Sequence, residues 1–258
     1  KDKVLMGAER KSMVISDDEK RNTAIHEAGH TLVGKLIPGN DPIHKVTIIP
    51  RGMALGLTYT LPEKESLSLS KSKAEGMIVF LFGGRAAEEI VFGDYTTGAG
   101  NDIERATDIA RRMVCEWGMS EKLGPLAYQK REGPVFLGMQ QNAQREYSES
   151  KAEEIDQEVY RLVTEGHNKA LQLLKDNRAT LDRLAEALLQ FETIDGVEVE
   201  LLVKGGTIED IRRDRELREV ESAKEQAKGR LELAEKELKE AKAESGTVNG
   251  GGDPVAVG

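Results

Sequence analysis

Apolar residues recur at three- and four-residue steps along most of the chain, which is the spacing of amphipathic helices. The first such segment runs from about Asp17 to Ile37. Ser16, followed by Glu19 three residues later, forms a capping box in front of it. The stretch Pro38–Pro42 ends the periodicity, so the sequence predicts one long N-terminal helix with a defined beginning and end.

The same criterion predicts further helices downstream. Residues 70–83 and 85–91 form two of them, and residues 195–204 form a short last one. Asn101, with Glu104 three residues later, is a second capping signal and opens another helix. Two more are marked by the periodic apolar residues Ile155, Val159, Leu162, Val163, Ala170, Leu173 and Leu174, and by Leu181, Leu184, Leu188 and Leu189.

Two short segments have a different pattern. His44–Ile49 and Gly56–Leu61 are rich in β-branched residues, and Pro50–Gly52 forms a turn between them. Two strands are not stable alone in water, so we expect this small sheet to lie on the helices. The fold class that follows is mainly α, with a small β element.

Charged side chains dominate residues 207–245. Leu217, Val220, Ala227, Leu231, Ala234, Leu238 and Ala241 fit a heptad seam that Lys224 interrupts. The many alanines make this seam shallow, so the pattern favours a solvated charged helix over a weak coiled coil but leaves both open. We expect residues 246–258, which are rich in glycine, to be disordered.

Composition limits the functional classes. The 46 acidic and 37 basic residues give a net charge of −9, which argues against a nucleic-acid partner. Cys115 is the single cysteine, so no internal disulfide can form. No apolar run approaches the length of a membrane span. Lys1 replaces an initiator methionine, so we expect a soluble fragment of a longer polypeptide.

The chemistry lies in His26-Glu27-Ala28-Gly29-His30, a His-Glu-x-x-His motif inside the first predicted helix. A four-residue step places both imidazoles on one helix face, where they can provide two ligands of a tetrahedral zinc ion. Glu27 borders that face and can act as a catalytic base beside the metal. A partial P-loop match over residues 29–35 lacks the required Ser or Thr at Leu36, which excludes a nucleotide site there.

The third protein ligand is less clear from the residues alone. Two zinc-peptidase patterns are excluded, because Val33 and Leu36 replace the metzincin glycine and histidine and no glutamate occurs between residues 31 and 62. His44 and His167 are the weaker of the remaining candidates, and Glu88, Glu89 and Asp102 are the stronger ones. Asp102 falls in the first turn of a predicted helix, where the helix dipole stabilises a carboxylate. Glu88 and Asp102 are nearly equal on this evidence.

Several further blocks accompany the zinc motif: Asp41–Gly52, Ala54–Gly56, Gly83–Glu89, Thr97–Asp102, Trp117–Ser120 and Glu192–Asp195. With these blocks in this order, the chain resembles the FtsH family of ATP-dependent zinc metalloproteases, and the likeness runs from about Gly7 to Lys204. The resemblance implies a largely helical zinc-peptidase domain with a small β element, followed here by the charged helical tail.

The resemblance also implies roles for individual residues. Asp102 would be the third zinc ligand with His26 and His30, Glu27 the catalytic base, and Glu88 a residue that orients a ligand or its helix. Each chain would hold one Zn²⁺. A substrate-binding edge strand would include Ala54, Leu55, Gly56, Leu57 and Thr58, and would pair with extended peptides through backbone hydrogen bonds.

The same resemblance implies how the parent protein works. Residues 1–12 would end a preceding ATPase module, residues 13–206 would form the peptidase domain, and residues 207–245 and 246–258 the tail. ATP would act only in that module, within a homo-hexamer that degrades unfolded or membrane proteins. We expect the parent at the cytoplasmic face of the bacterial inner membrane, or else in an organelle membrane. The alternative hypothesis is a non-enzymatic helical interaction module that binds partners through the charged tail.

Overall fold

A computed structural model describes residues 15–50, 55–62, 68–128 and 147–245. The described chain is mostly helical and has one small sheet, which confirms the predicted fold class. It divides into two units after Ile208. The expectations for residues 1–12 and 246–258 lie outside the described residues. Within the described parts, no helix combines the length and apolar character needed to cross a bilayer.

Helix α1 covers Asp17–Leu36, in agreement with the predicted segment. The Ser16 hydroxyl accepts a hydrogen bond from the Glu19 backbone N–H, which is one of the two hydrogen bonds of the predicted capping box. The Glu19 carboxylate contacts the Ser16 hydroxyl at 3.5 Å. Ten of the eleven positions from Ala24 to Gly34 are buried, and only His26 is not, so α1 is the central helix of the first unit.

The sheet has three strands in the order β2-β1-β3. Strand β1 is Ile43–Thr47, β2 is Leu57–Thr60 and β3 is Thr193–Asp195, and both pairings are antiparallel. The first two are shorter than predicted, and the third was not predicted. Three residues are too few to show a period, and β3 forms because Ile194 pairs with Val46 in the centre of the sheet.

Two helices pack beside α1 and meet at Phe82. Helix α2 is Lys71–Leu81, capped by Ser70, and α3 is Gly83–Phe92. A Cβ atom on Gly83 would lie 2.8 Å from the Gly29 carbonyl oxygen of α1. The two backbones therefore approach too closely for any side chain at this crossing.

Helix α4 covers Gly100–Cys115 and follows a single 3₁₀ turn at Thr97–Ala99. The prediction that Asn101 caps this helix is wrong, because Asn101 lies inside it and the capping position is Ala99, which forms no side-chain cap. The 3₁₀ turn continues directly into α4 and takes the place of a side-chain cap. As a result, Asp102 lies in the first turn.

The remaining helices complete the core. Helix α5 is Glu149–Asp176, α6 is Arg178–Phe191 and α7 is Gly196–Val203. The Asp195 side chain caps α7 in a full capping box with Glu198. Large side chains that are fully buried within this unit include Leu32, Ile78, Met113, Leu174, Leu181, Leu184, Leu188, Ile194 and Leu202.

Helix α8 runs over Ile208–Ser245, as the charged tail pattern predicts. Its apolar residues Leu217, Val220, Leu231 and Leu233 are each more than half exposed. These exposures are expected for one chain both of a solvated charged helix and of a weak coiled coil, so both interpretations stay predictions.

Candidate metal centre

Three side chains from two helices converge on one point. His26 and His30 project from the same face of α1, and Asp102 projects from the first turn of α4. The two Nε2 atoms lie 3.0 Å apart, and Asp102 Oδ2 lies 3.4 Å from that of His26 and 3.2 Å from that of His30. Among the described residues these three form the group whose ligand atoms are close enough to hold one metal ion.

The triangle has the dimensions of a zinc site. Zinc bound at ~2.0–2.1 Å in a tetrahedron places its ligand atoms about 3.3–3.4 Å apart, which is close to the three observed edges. Two imidazoles and a carboxylate are also a common zinc donor set, and three protein ligands leave the fourth position open for chemistry. The residues present therefore fit a catalytic zinc ion.

Each imidazole is held through its other nitrogen. The Nδ1 atom of His26 lies 2.6 Å from Glu88 Oε1, and that of His30 lies 2.9 Å from the Phe80 carbonyl oxygen. Both partners are acceptors, so each Nδ1 carries the hydrogen and donates it. This tautomer leaves both Nε2 lone pairs directed at the common point, as metal ligation requires.

Glu88 is almost fully buried, with 2% of its surface exposed. Its Oε1 accepts from His26, and its Oε2 accepts the backbone N–H of Thr96 at 2.6 Å. Burial alone would raise the pKa of Glu88, but these hydrogen bonds hold the pKa below its ordinary value. Glu88 is therefore an ionised group that fixes the ring of His26 to the loop before α4.

The charges of the three converging groups depend on one another. Burial disfavours the charged form of His26, but hydrogen bonds to Asp102 and Glu88 outweigh it and raise the pKa to about 10. Burial acts against ionised Asp102 too, and the two imidazoles overcome it and hold the pKa of Asp102 well below its usual range. The carboxylate of Asp102 and the two imidazoles therefore stabilise one another electrostatically.

Glu27 lies beside the triangle without joining it. The residue is 6% exposed, and burial raises the pKa of its carboxyl above the ordinary value. The imidazoles of His30 and His26 oppose this shift of the pKa through their electrostatic interaction with the carboxylate. A carboxylate with a raised pKa next to a metal-ligand triangle is suited to general acid–base work.

The other candidate ligands lie elsewhere. His44 is exposed on β1, where its ring packs against that of Tyr59 with centroids 6.0 Å apart. His167 Nε2 lies 3.3 Å from Glu89 Oε2, and its ring packs against Phe82. Neither histidine and neither glutamate of the Glu88–Glu89 pair belongs to the group that could hold a metal ion.

The predicted substrate-binding segment lies partly in the edge strand. Leu57 and Thr58 begin β2, Leu55 and Gly56 precede it, and Ala54 lies outside the described residues. Sequence reasoning missed the hydroxyl of Thr58 and the carbonyl of Phe80, both of which contact residues of the zinc motif. A backbone carbonyl has no sequence signature, and a threonine in a strand has many other uses.

Comparisons with known proteins agree with this geometry. The sequence profile of peptidase family M41 matches residues 13–202. The ATP-dependent zinc metalloprotease FtsH 1 of Bdellovibrio bacteriovorus is 67% identical over 216 residues, covering 83% of this chain and 33% of the relative. FtsH 4 of Sorangium cellulosum is 58% identical over 207 residues, which cover 80% of this chain and 32% of that relative. FtsH of Myxococcus xanthus is 50% identical over 208 residues, which cover 81% of this chain and 33% of that relative. The matched region spans about a third of the length of these relatives.

Proposed function

The chain belongs to peptidase family M41, and we propose that it is a zinc-dependent endopeptidase that hydrolyses peptide bonds of unfolded or misfolded proteins. The observation that carries the proposal is the convergence of two imidazoles and a carboxylate within 3.0–3.4 Å of one another. The names of the relatives support zinc and proteolysis.

We propose that His26, His30 and Asp102 hold the zinc ion. Bound zinc supplies Lewis acidity, which lowers the pKa of a water molecule to about 7 and stabilises negative charge on a substrate oxygen. Glu88 and the Phe80 carbonyl keep the two imidazoles in the tautomer and orientation that ligation requires. These contacts prepare the site before substrate arrives.

Glu27 is the proposed catalytic base. Its Oε2 accepts a hydrogen bond from the Thr58 hydroxyl, so Oε1 is the oxygen that remains to take a proton from the attacking water. The same oxygen then delivers that proton to the leaving amine nitrogen, as peptide hydrolysis requires. The raised pKa of Glu27 favours both steps, because the group must bind the proton and release it again.

Strand β2 is the proposed substrate platform. It lies at the edge of the sheet, and among the described residues it pairs with β1 only. An extended peptide added along its other edge would be recognised through backbone hydrogen bonds, which do not depend on side-chain identity. Such recognition suits an enzyme that degrades many different unfolded chains.

The arrangement of the parent protein stays a proposal. We place the peptidase domain at residues 13–206 and a charged helix at 207–245, with an ATPase module before residue 13. A homo-hexamer anchored in the bacterial inner membrane follows from the resemblance and not from the described residues. The hypothesis of a non-enzymatic interaction module loses support, because it leaves the metal-ligand triangle unexplained.

Metal analysis and a cleavage assay test the proposal together. The chain should bind about one zinc ion and cleave unfolded casein, and Glu27→Gln should keep the metal but lose cleavage. The double change His26→Ala, His30→Ala should lose both. His44→Ala is the matched control, because this histidine is exposed and outside the triangle, and it should keep both. Retention of metal and activity by the double variant would refute the proposal.

A further inference from the structure

Thr58 joins the edge strand to the catalytic motif. Its Oγ1 lies 2.5 Å from Glu27 Oε2 and 3.3 Å from the main-chain oxygen of the same residue. The shorter distance is in the range of a hydroxyl that donates to a carboxylate, which is among the stronger hydrogen bonds in proteins. The hydroxyl of Thr58 therefore donates to Glu27.

The opposite side of the Glu27 carboxylate is also confined. A Cβ atom on Gly56 would lie 2.6 Å from Glu27 Oε1 and 2.8 Å from its Cγ, and it would lie 2.7 Å from Cγ2 of Thr23. The carboxylate thus lies between α1 and the backbone that enters β2. Two features of this segment therefore constrain the carboxylate: the absence of a side chain at Gly56 and the hydroxyl of Thr58.

We propose that Thr58 is a positioning residue for proton transfer: its hydroxyl holds Glu27 Oε2 so that Oε1 faces the reacting water. The inference rests on the proposed function and deepens it. A glutamate side chain has three rotatable bonds, and its terminal torsion is broad. Without the hydroxyl, the carboxylate would sample several orientations, of which only one has Oε1 in place for the proton.

The main chain of the same residue gives the arrangement a second consequence. Thr58 belongs to the strand whose backbone we propose to pair with substrate. The platform that places the scissile carbonyl and the group that orients the base are then parts of one residue. Because Thr58 contacts both, it keeps the base and the substrate in a fixed relative position. This matters because a misplacement of about 1 Å can reduce the rate on the order of 10²-fold.

The inference predicts a separation between turnover and binding. Thr58→Val keeps the shape and the main chain but removes the hydroxyl. We expect kcat on an internally quenched extended peptide to fall about 10- to 100-fold, as for the loss of a hydrogen bond to a charged group. We expect KM to stay within about twofold, because the pairing edge is unchanged. Thr58→Ser restores the hydroxyl and should recover most of kcat.

A matched control removes a comparable hydroxyl elsewhere. Thr107 donates to the Ile103 carbonyl in α4 at 2.8 Å, and Thr107→Val should leave kcat and KM unchanged. A readout independent of the loaded enzyme is the affinity of the metal-free chain for the same peptide, measured by fluorescence anisotropy. We expect the dissociation constant of Thr58→Val to match that of the unsubstituted chain.

The outcomes separate this inference from the proposed function. If the unsubstituted zinc-loaded chain does not cleave, the proposed function fails and the inference falls with it. If that chain cleaves and Thr58→Val has the same kcat, or if KM and the peptide dissociation constant rise instead, the positioning role is wrong. Should Thr58→Val not fold, Thr58→Ala takes its place. Equal kcat for the Ala and Ser variants then overturns the inference, and recovery by Ser alone supports it.

Discussion

Glu88→Gln is the substitution that tests the outer support of the metal centre most directly. It preserves size and shape but removes one acceptor. The carboxylate accepts from His26 Nδ1 with one oxygen and from the Thr96 N–H with the other, each at 2.6 Å. A glutamine has one carbonyl oxygen and one NH₂ group, so in either orientation a donor faces a donor.

The cost can be worked out from these two contacts. If the amide oxygen stays on His26, the Thr96 N–H loses its partner; because Thr96 is exposed, water can replace that partner, and the cost in folding stability is about 0.5–1.5 kcal/mol. If the amide flips, His26 Nδ1 faces NH₂, and the ring turns or changes tautomer. Loss of such support weakens metal binding by roughly 10- to 100-fold. We expect the zinc dissociation constant to rise within that range.

A competing effect acts in the opposite direction and is smaller. The Glu88 carboxylate also helps to raise the pKa of His26 to about 10. Glu88→Gln therefore lowers the affinity of His26 for the proton that competes with zinc. A divalent ion gains about twice as much as a proton from the same nearby charge. Removing the carboxylate therefore penalises zinc more than the proton, and the net result is weaker metal binding.

Competition with a fluorescent zinc chelator at pH 7 measures the effect. Glu89→Gln is the matched control: it makes the same change one residue away, at a side chain that is 38% exposed and outside the triangle. The control should bind zinc within twofold of the unsubstituted chain. A Glu88→Gln chain that binds zinc as tightly as the control would refute the role assigned to Glu88.

Two further predictions concern packing and pH. The pKa of buried Glu158 lies below its ordinary value, and the main cause is its hydrogen bonds from Arg161. Their stabilisation is therefore present above the unfolded pKa of about 4.3 and is lost as the pH falls through the lower folded value. Thermal unfolding between pH 3 and 7 should show this loss, and Glu158→Gln should be less stable at pH 7 and show a weaker acid dependence; an unchanged pH profile would contradict the assignment. Gly84→Ala should weaken zinc binding about 10-fold or more, because the added Cβ would overlap the ring of His26. Gly100→Ala, where the new Cβ has open space on a helical backbone, should leave zinc binding unchanged, and equal affinities for the two alanine variants would contradict the argument.

The part of the metal centre that is local in sequence was predictable. His26, Glu27 and His30 lie in one helix, and the helical period alone places both imidazoles on one face. Asp102 and Glu88 could not be ranked by the same means, because their distance from that face depends on how α3 and α4 pack. The resemblance ranked them, and the structure brings Asp102 to the triangle and Glu88 behind His26.

The features that sequence reasoning missed have a common cause. Strand β3 is three residues long, and its formation depends on pairing with a strand almost 150 positions earlier. The expected cap at Asn101 fails because a 3₁₀ turn precedes α4, and the local pattern of the two alternatives is nearly the same. Tertiary context decides both cases, whereas long periodic helices such as α5 carry enough local signal to be recognised.

The close backbone contact between Gly29 and Gly83 has a consequence for ionic selectivity. Because these helices touch without side chains between them, the ligand and its supporting glutamate have little freedom to spread apart. Calcium binds oxygen ligands at about 2.3–2.6 Å and takes six to eight of them, so it needs a wider and more flexible cage. The candidate site offers two imidazole nitrogens and one carboxylate, so it should bind zinc in preference to calcium and magnesium, which favour oxygen ligands.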